Sequence, residues 1–217
     1  MSSSNPALDI LMVSIVFTNL RLLGSSRLGA CIRTVALQGL LLGMLPLIAH
    51  WGSLGWRILL LAGAGTALKA VVFPWLFTRA LRGAKVRREM EPYVGYSMSL
   101  LVGIAALAVS LWIAGKLELP NRAISPLLVP VALSTMLVGL FVIVSRRKAL
   151  TQALGYLTFE NGIYAFGIGI AHESPFLVET GILLDVFVAV FVMGIAIFHI
   201  QREFDSIDTA ALSSLKD

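Results

Sequence analysis

Residues 149–171, ALTQALGYLTFENGIYAFGIGIA, form a long apolar run interrupted by a few polar side chains and by one carboxylate, Glu160. A helix of about 20 such residues is long enough to cross a hydrocarbon core about 30 Å thick. The run is continuously apolar and does not alternate with a period of two, which favours a helix over a strand of a membrane barrel. It therefore predicts a transmembrane helix with an acidic side chain inside it.

Comparable segments recur along the whole chain, and the composition indicates the class of protein. Hydrophobic residues make up 58% of the sequence and charged residues 13%, and the mean hydropathy is +0.88. Average globular domains have about 25% charged residues. The sequence thus predicts an all-α, polytopic integral membrane protein with about seven transmembrane helices. The predicted spans are residues 7–23, 31–50, 56–78, 93–115, 124–144, 149–171 and 176–200.

Basic residues are concentrated in alternate loops. Thirteen of the 17 Lys and Arg residues fall in or beside loops that would share one side of the membrane, and three fall on the other side. Because positive charge marks the cytoplasmic side, we expect the N-terminus outside and the C-terminus in the cytoplasm. The same asymmetry explains the net charge of +5 as a property of membrane loops. We therefore expect the chain to contact membrane lipid and no nucleic acid.

A polar, proline-bearing segment, KLELPNRAISP (residues 116–126), separates four predicted spans from three. The first three spans resemble a degenerate copy of the last three, since each set carries a polar pair deep in its second helix, Gln38-Gly39 or Glu160-Asn161. The expected parts are an N-terminal four-helix part over residues 1–120, a three-helix part over 121–203 and a cytoplasmic tail over 204–217.

Two carboxylates, Glu160 and Asp185, lie within apolar spans. At about 1.5 Å of rise per residue, each is roughly 15 Å from the start of its helix, which is near the membrane midplane. An ionised carboxylate there costs a few kcal/mol, so such a residue is protonated, partnered or facing water. Each is therefore a candidate for moving protons, although Glu160 could also be held by a merely structural hydrogen bond.

Three further side chains complete the predicted proton-relay set. Tyr156 and Tyr164 lie one helical turn on either side of Glu160 on one face, where a phenol can donate to the carboxylate or hold a water. Lys69 is the ionisable residue of the third span. Its charge could take part in the relay, snorkel to the interface, or pair with Asp185 as a structural ion pair.

Motifs for catalysis by this chain itself are missing from the sequence. It has no GxxxxGK[ST] loop, no GxSxG and no HExxH, and its single cysteine, Cys31, cannot form an intrachain disulfide. We therefore expect no catalytic residue, cofactor site or metal site here, and we expect any redox chemistry to belong to another chain.

Three stretches carry a family resemblance: VIVSRRKALTQALGYLTFENG (142–162), DVFVAVFVMGIAIF (185–198) and REFDSIDTAALSSLKD (202–217). Through them the last three spans resemble the K subunit of respiratory complex I and the C subunit of multi-subunit cation/proton antiporters. The whole chain resembles the hydrogenase-4 component E family of group 4 hydrogenases of the formate hydrogenlyase type.

The resemblance implies a non-catalytic membrane subunit of a complex I-like [NiFe]-hydrogenase assembly in a bacterial inner membrane, with other membrane and peripheral subunits as partners. It also implies that Glu160 and Asp185 contribute to a proton-translocation path that is coupled to redox chemistry elsewhere. Two alternatives stay open. The chain could be a subunit of a multi-component cation/proton antiporter, or a structural spacer between antiporter-like subunits.

Overall fold

Helices make up most of the described part of the chain. The computed structural model describes residues 6–49, 55–83, 93–117 and 125–170, together with Gly194. For these residues the all-α prediction is confirmed. In chain order the elements are α1 (Pro6–Gly24), α2 (Leu28–Ala49), α3 (Trp56–Ala67), a π-helical turn (Leu68–Val72), α4 (Phe73–Gly83), α5 (Tyr96–Ala114), α6 (Leu128–Ser145) and α7 (Ala149–Ile170).

Six of the predicted spans coincide with helices when α3, the π-helical turn and α4 are taken as one helical run. The seventh, residues 176–200, lies outside the described residues apart from Gly194, and so does the predicted tail. The protein is a membrane protein, since several of its helices are long and apolar enough to cross a bilayer. Among the described residues, four helices meet this condition: Pro6–Gly24, Leu28–Ile48, Tyr96–Ala114 and Leu128–Ser145.

The pattern of exposure on α5 fits a helix that faces lipid. Large apolar side chains such as Leu101 and Trp112 are exposed, and the buried positions are Ser99, Gly103 and Ser110. Without a hydrophobic driving force between helices in lipid, small residues favour association because they let backbones approach closely. The small face of α5 packs against α1 and α6.

The tightest contact in the bundle joins α6 and α7. A Cβ atom at Gly139 would overlap the backbone nitrogen of Phe159, and one at Gly155 would lie 2.9 Å from the backbone nitrogen of Ile143. Real Cβ atoms do not approach other atoms so closely, so glycine is required at both positions if the two helices are to keep this separation.

The helices form one bundle with a polar layer between two apolar clusters. α1 packs against α2 and α6, and α2 also packs against α7 and the π-helical turn. One cluster lies at the turn end, the end of the bundle that holds the α1–α2 turn (25–27) and the α6–α7 turn (146–148), and it includes Leu23 and Val142. The other cluster lies toward the opposite end and includes Leu8 and Leu128. The buried polar residues between them are Thr18, Asn19, Gln38, Lys69, Thr135, Glu160 and Asn161.

Arg146, which the sequence places among the basic loop residues, is fully buried at the turn end. Its Nη2 donates to the carbonyl oxygen of Leu23 at 3.3 Å and to the hydroxyl of Ser99 at 3.4 Å, and its guanidinium lies 5.4 Å from the centre of the Tyr96 ring. Burial lowers the pKa of Arg146 from its ordinary value, and Tyr96 opposes that change. Leu23 lies in the last turn of α1, where a carbonyl lacks a helical partner, so Arg146 satisfies it and joins α1 and α5 to the α6–α7 turn.

A buried lysine–glutamate site

Glu160 is held inside the bundle by α7, which is buried along most of its length. The carboxylate residue is 2% exposed, and its chain neighbour Asn161 is equally buried. α6 covers one side of α7, and α2 covers another. The glycine seam between α6 and α7 brings their backbones together, so Glu160 has to find its polar partners on the helices that lie across the bundle.

Lys69 reaches Glu160 from the π-helical turn. This turn directly precedes Pro74 in α4, and a proline at that position lacks an N–H and would press its ring against the carbonyl four residues earlier. Widening the helix by one residue over Leu68–Val72 accommodates the proline, and the N–H of Phe73 bonds to the carbonyl of Leu68. The alternative in which Lys69 snorkels to the interface is not what the structure has, since Lys69 is 8% exposed.

The π-helical turn also lies directly against α2. A Cβ atom at Gly39 would be only 2.5 Å from the Cβ atom of Lys69, and a side chain at Gly43 would overlap Thr66. Glycine at these two positions therefore lets α2 approach the helical run that carries Lys69. With the two backbones this close, the side chain of Lys69 extends past α2 toward α7.

Lys69 and Glu160 form a buried ion pair. Nζ of Lys69 lies 2.7 Å from Oε1 of Glu160 and donates a hydrogen bond to it. The ammonium also donates to Oδ1 of Asn161 at 3.1 Å and lies 5.4 Å from the centre of the Tyr164 ring. A carboxylate, an amide oxygen and an aromatic face together suit a cation, and a buried ion pair needs such additional contacts to offset the loss of hydration.

The second oxygen of the Glu160 carboxylate differs from the one that contacts Lys69. Oε2 of Glu160 is buried and accepts no hydrogen bond within the described part of the chain. Buried polar atoms are nearly always paired, and an exception is often explained by a chemical role or by a water. Oε2 is thus the atom of this pair at which a proton or a water can be bound without first breaking the contact with Lys69.

The predicted site residues have different outcomes. Glu160, Lys69 and Tyr164 are brought together, and the partner of Lys69 among the described residues is Glu160. Tyr156 packs at the turn end against the apolar cluster that includes Leu23 and Val142. Asp185 lies outside the described residues, so its predicted roles stay predictions.

The sequence marks Gln38 and Asn161 as polar residues deep in their helices but predicts no role for them in the site, and it does not single out Asn19 or Thr135. Nδ2 of Asn161 donates to Oε1 of Gln38 at 3.1 Å, and Nε2 of Gln38 donates to Oδ1 of Asn19 at 2.8 Å. Nδ2 of Asn19 in turn donates to Oγ1 of Thr135 at 2.9 Å. The signal in the sequence is the presence of Asn and Gln deep in apolar spans, where an unpaired amide costs several kcal/mol and must find a partner.

This arrangement places a carboxylate against an ammonium, two groups between which a proton can be exchanged. Among the described residues no group of three or more His, Cys, Asp or Glu side chains lies close enough to bind an ion. The acidic and basic members of the pair are both titratable and both shielded from bulk solvent. The fold and the site together define a helical membrane protein with an ion pair buried between its helices.

Comparison with known proteins gives the family. The chain is 30% identical to the uncharacterized protein Rv0085 of Mycobacterium tuberculosis over 220 aligned residues, with all of both chains covered. It is also 29% identical over 160 residues to hydrogenase-4 component E of Escherichia coli K12 and of Shigella flexneri, covering 74% of this chain and of each relative. No family model matches the sequence, and no solved structure matches it. The chain belongs to a family shared with Rv0085, and its relatives include hydrogenase-4 component E.

Proposed function

We propose that this chain is the component E-type membrane subunit of a hydrogenase complex, and that it moves protons without catalysing the redox reaction. The similarity to hydrogenase-4 component E supports a place in such a complex, and the four long apolar helices support a place in the membrane. The finer proposal is a complex I-like group 4 assembly of the formate hydrogenlyase type. We place the chain in a bacterial inner membrane, because the relatives it matches are bacterial proteins. The basic loops favour an orientation with the N-terminus outside and the C-terminus in the cytoplasm.

The observation that carries the proposal is the ion pair of Lys69 and Glu160, together with the second carboxylate oxygen, which accepts no hydrogen bond from the described residues. A proton that reaches Oε2 neutralises Glu160 and removes the attraction that holds the ammonium of Lys69 against it. Lys69 then loses its contact with an ionised carboxylate, and that loss is costly for an ammonium in a medium of low dielectric. The cost favours passing a proton onward, and a neighbouring subunit that changes the hydration of the pair would control that step.

The rest of the predicted relay belongs to the same proposal. Tyr164, whose ring faces the ammonium, and Tyr156, two turns of α7 nearer the turn end, would flank the path on α7. Asp185 would supply a second carboxylate. Its contribution can be separated from that of Glu160 by an Asp185→Asn variant assayed beside Glu160→Gln.

The first experiment asks which proteins accompany the chain. We expect an affinity-tagged chain purified from its native membrane to bring down large and small [NiFe]-hydrogenase subunits, identified by mass spectrometry. A self-contained set of antiporter subunits without a hydrogenase would instead identify the complex as a cation/proton antiporter and refute the hydrogenase assignment.

The second experiment tests the ion pair. Glu160→Gln keeps the size of the side chain and removes its charge, so we expect the complex to assemble and to lose redox-driven proton uptake into membrane vesicles. Asp9→Asn is the matched control, because Asp9 lies far from the pair and contacts Ser125 near the start of α6. If Glu160→Gln vesicles take up protons as fast as Asp9→Asn vesicles, Glu160 is not in the path, and the chain is better described as a structural spacer.

A further inference from the structure

The amides behind the ion pair form a continuous chain of hydrogen bonds that runs in one direction. Starting from the ammonium of Lys69, each group donates to the next: to Asn161, then Gln38, then Asn19. Asn19 then donates to the hydroxyl of Thr135. Four elements, the π-helical turn, α7, α2 and α1, are thus linked to α6 through side chains that are buried to at least nine-tenths.

Both ends of this chain determine its direction. At one end, an ammonium has only donors, so Asn161 has to present its oxygen to Lys69. At the other end, the hydroxyl of Thr135 already donates to the carbonyl of Val131 at 2.7 Å, so Thr135 can only accept from Asn19. Turning over any one of the amides would therefore place donor against donor or acceptor against acceptor.

Gln38 is also held from the side. Its Nε2 donates a second hydrogen bond, at 3.1 Å, to the hydroxyl of Thr18, which itself donates to the carbonyl of Ile15 at 2.6 Å. Both protons of the Gln38 amide are therefore used, and its oxygen is left facing Asn161. The middle of the chain cannot reorient without losing bonds on three neighbours.

The direction has an electrostatic consequence at Lys69. All three amides present their oxygen, the negative end of the dipole, on the side that leads to the ammonium. Hydrogen bonds aligned head to tail polarise one another, and they are stronger in a site of low dielectric than in water. Amide side chains do not themselves titrate, so they stabilise the charge of Lys69 and do not carry the proton.

We infer that Gln38, Asn19 and Thr135 are positioning residues that act through Asn161 to keep Lys69 charged and directed at Glu160. The chain of amides thereby sets how readily Glu160 takes up a proton. This inference rests on the proposed proton-transfer function for its biological meaning, and its central measurement does not depend on transport.

The experiment uses the assembled complex and compares a variant in the middle of the hydrogen-bonded chain, at Gln38, with variants at its far end from Lys69, at Thr135. Gln38→Met keeps the length of the side chain and removes both bonding groups. Thr135→Val keeps the shape and removes the acceptor for Asn19, whereas Thr135→Ser keeps the hydroxyl. Infrared spectroscopy at neutral pH reads the band of the protonated carboxyl group, and a Glu160→Gln version of each variant serves as the blank that assigns the band to Glu160.

We expect Gln38→Met to increase the ratio of protonated to ionised Glu160 by a factor of about three to ten, the change expected from the loss of one hydrogen bond between neutral groups. Thr135→Val should change the ratio in the same direction by less, and Thr135→Ser should restore the wild-type value. Wild-type ratios in both Gln38→Met and Thr135→Val would overturn the inference. If Gln38→Met does not assemble, the two Thr135 variants decide.

The outcome is distinguishable from failure of the proposed function. Normal proton uptake by Glu160→Gln would refute the relay, yet the infrared ratio would still report whether the amides act on the pair. Conversely, an unchanged ratio in complexes that lose proton uptake with Glu160→Gln would leave the relay in place and remove the positioning role.

Discussion

The α1–α2 hairpin and the α6–α7 hairpin have nearly the same dimensions and carry different chemistry. Each has a three-residue turn, and the second helix of each has 22 residues. Gln38 is the eleventh residue of α2, and Glu160 is the twelfth residue of α7. At equivalent depth, one hairpin therefore presents a neutral amide and the other a carboxylate.

The two side chains meet through a shared neighbour. Asn161 bonds both to Lys69, the partner of Glu160, and to Gln38. α1 packs against α6 and α2 packs against α7, so corresponding helices of the two hairpins lie side by side. We propose that the hairpins are diverged copies, in which one keeps the titratable group and the other retains a group that orients it.

The largest effect is expected from removing the cation that makes the α6–α7 hairpin different. Lys69→Met leaves Glu160 buried without its partner, which destabilises a protein by about 3–5 kcal/mol when a buried pair is broken from one side. The measurement is thermal unfolding of the purified protein in detergent micelles. The double variant Lys69→Met/Glu160→Met should recover most of the loss, because well-packed apolar residues can replace a buried pair at little cost. Additive losses in the double variant would contradict a direct interaction.

The ion pair also marks the limit of what the sequence could predict about the site. The cost of burying charge singled out Glu160 and Lys69 from the sequence alone. Their pairing could not be derived, since it depends on a π-helical turn before Pro74 and on the close approach of α2 at Gly39. Both features are local departures from regular helix packing, and hydropathy does not report them.

The second-largest loss of stability is expected from disturbing the packing within the α6–α7 hairpin. Gly139→Ala puts a methyl group against the backbone of Phe159, which cannot move aside as a flexible side chain would. We expect a loss of about 1–3 kcal/mol in unfolding free energy, the usual range for overpacking. Gly29→Ala in α2 is the control and should be neutral or slightly stabilising, since nothing lies within 4 Å of a Cβ atom there. Equal effects of the two substitutions would show that the α6–α7 seam is not the tighter one.

The fold itself was largely predictable from residues that face lipid. Continuous apolar runs, with exposed residues such as Phe17 and Leu101, gave the class and the approximate bounds of six helical runs. The burial of Arg146 was not predictable in the same way. From the positive-inside pattern, every loop arginine is expected to be solvated. Arg146 is instead buried, because it donates a hydrogen bond to a carbonyl at the end of α1 that has no helical partner.

The turns of the two hairpins offer a third test through their arginines. Arg146→Met removes the donor to the Leu23 carbonyl, and a buried acceptor left without its partner costs about 1–3 kcal/mol, part of which the apolar methionine offsets by packing. Arg27 in the α1–α2 turn is exposed, so Arg27→Met should change stability by less than about 0.5 kcal/mol. The measurement is again thermal unfolding of the purified protein. Similar values for both variants would mean that the two turns are equivalent despite the burial of Arg146.

The smallest expected effect lies at the start of α6, at the end of the hairpin away from its turn. The hydroxyl of Ser125 accepts from the backbone N–H of Leu127 at 3.2 Å and donates to Oδ1 of Asp9 at 2.7 Å, so it ties the start of α6 to the first turn of α1. Ser125→Ala removes both bonds, and we expect a loss of about 1 kcal/mol, the usual net contribution of a hydrogen bond to stability. Ser26→Ala, at an exposed position in the α1–α2 turn, is the matched control and should leave the unfolding temperature unchanged. The Ser125 contact joins the first helices of the two hairpins far from the ion pair, so its removal should lower stability without changing proton uptake. A parallel loss of uptake would show that proton transfer also depends on how α1 and α6 are held at that end.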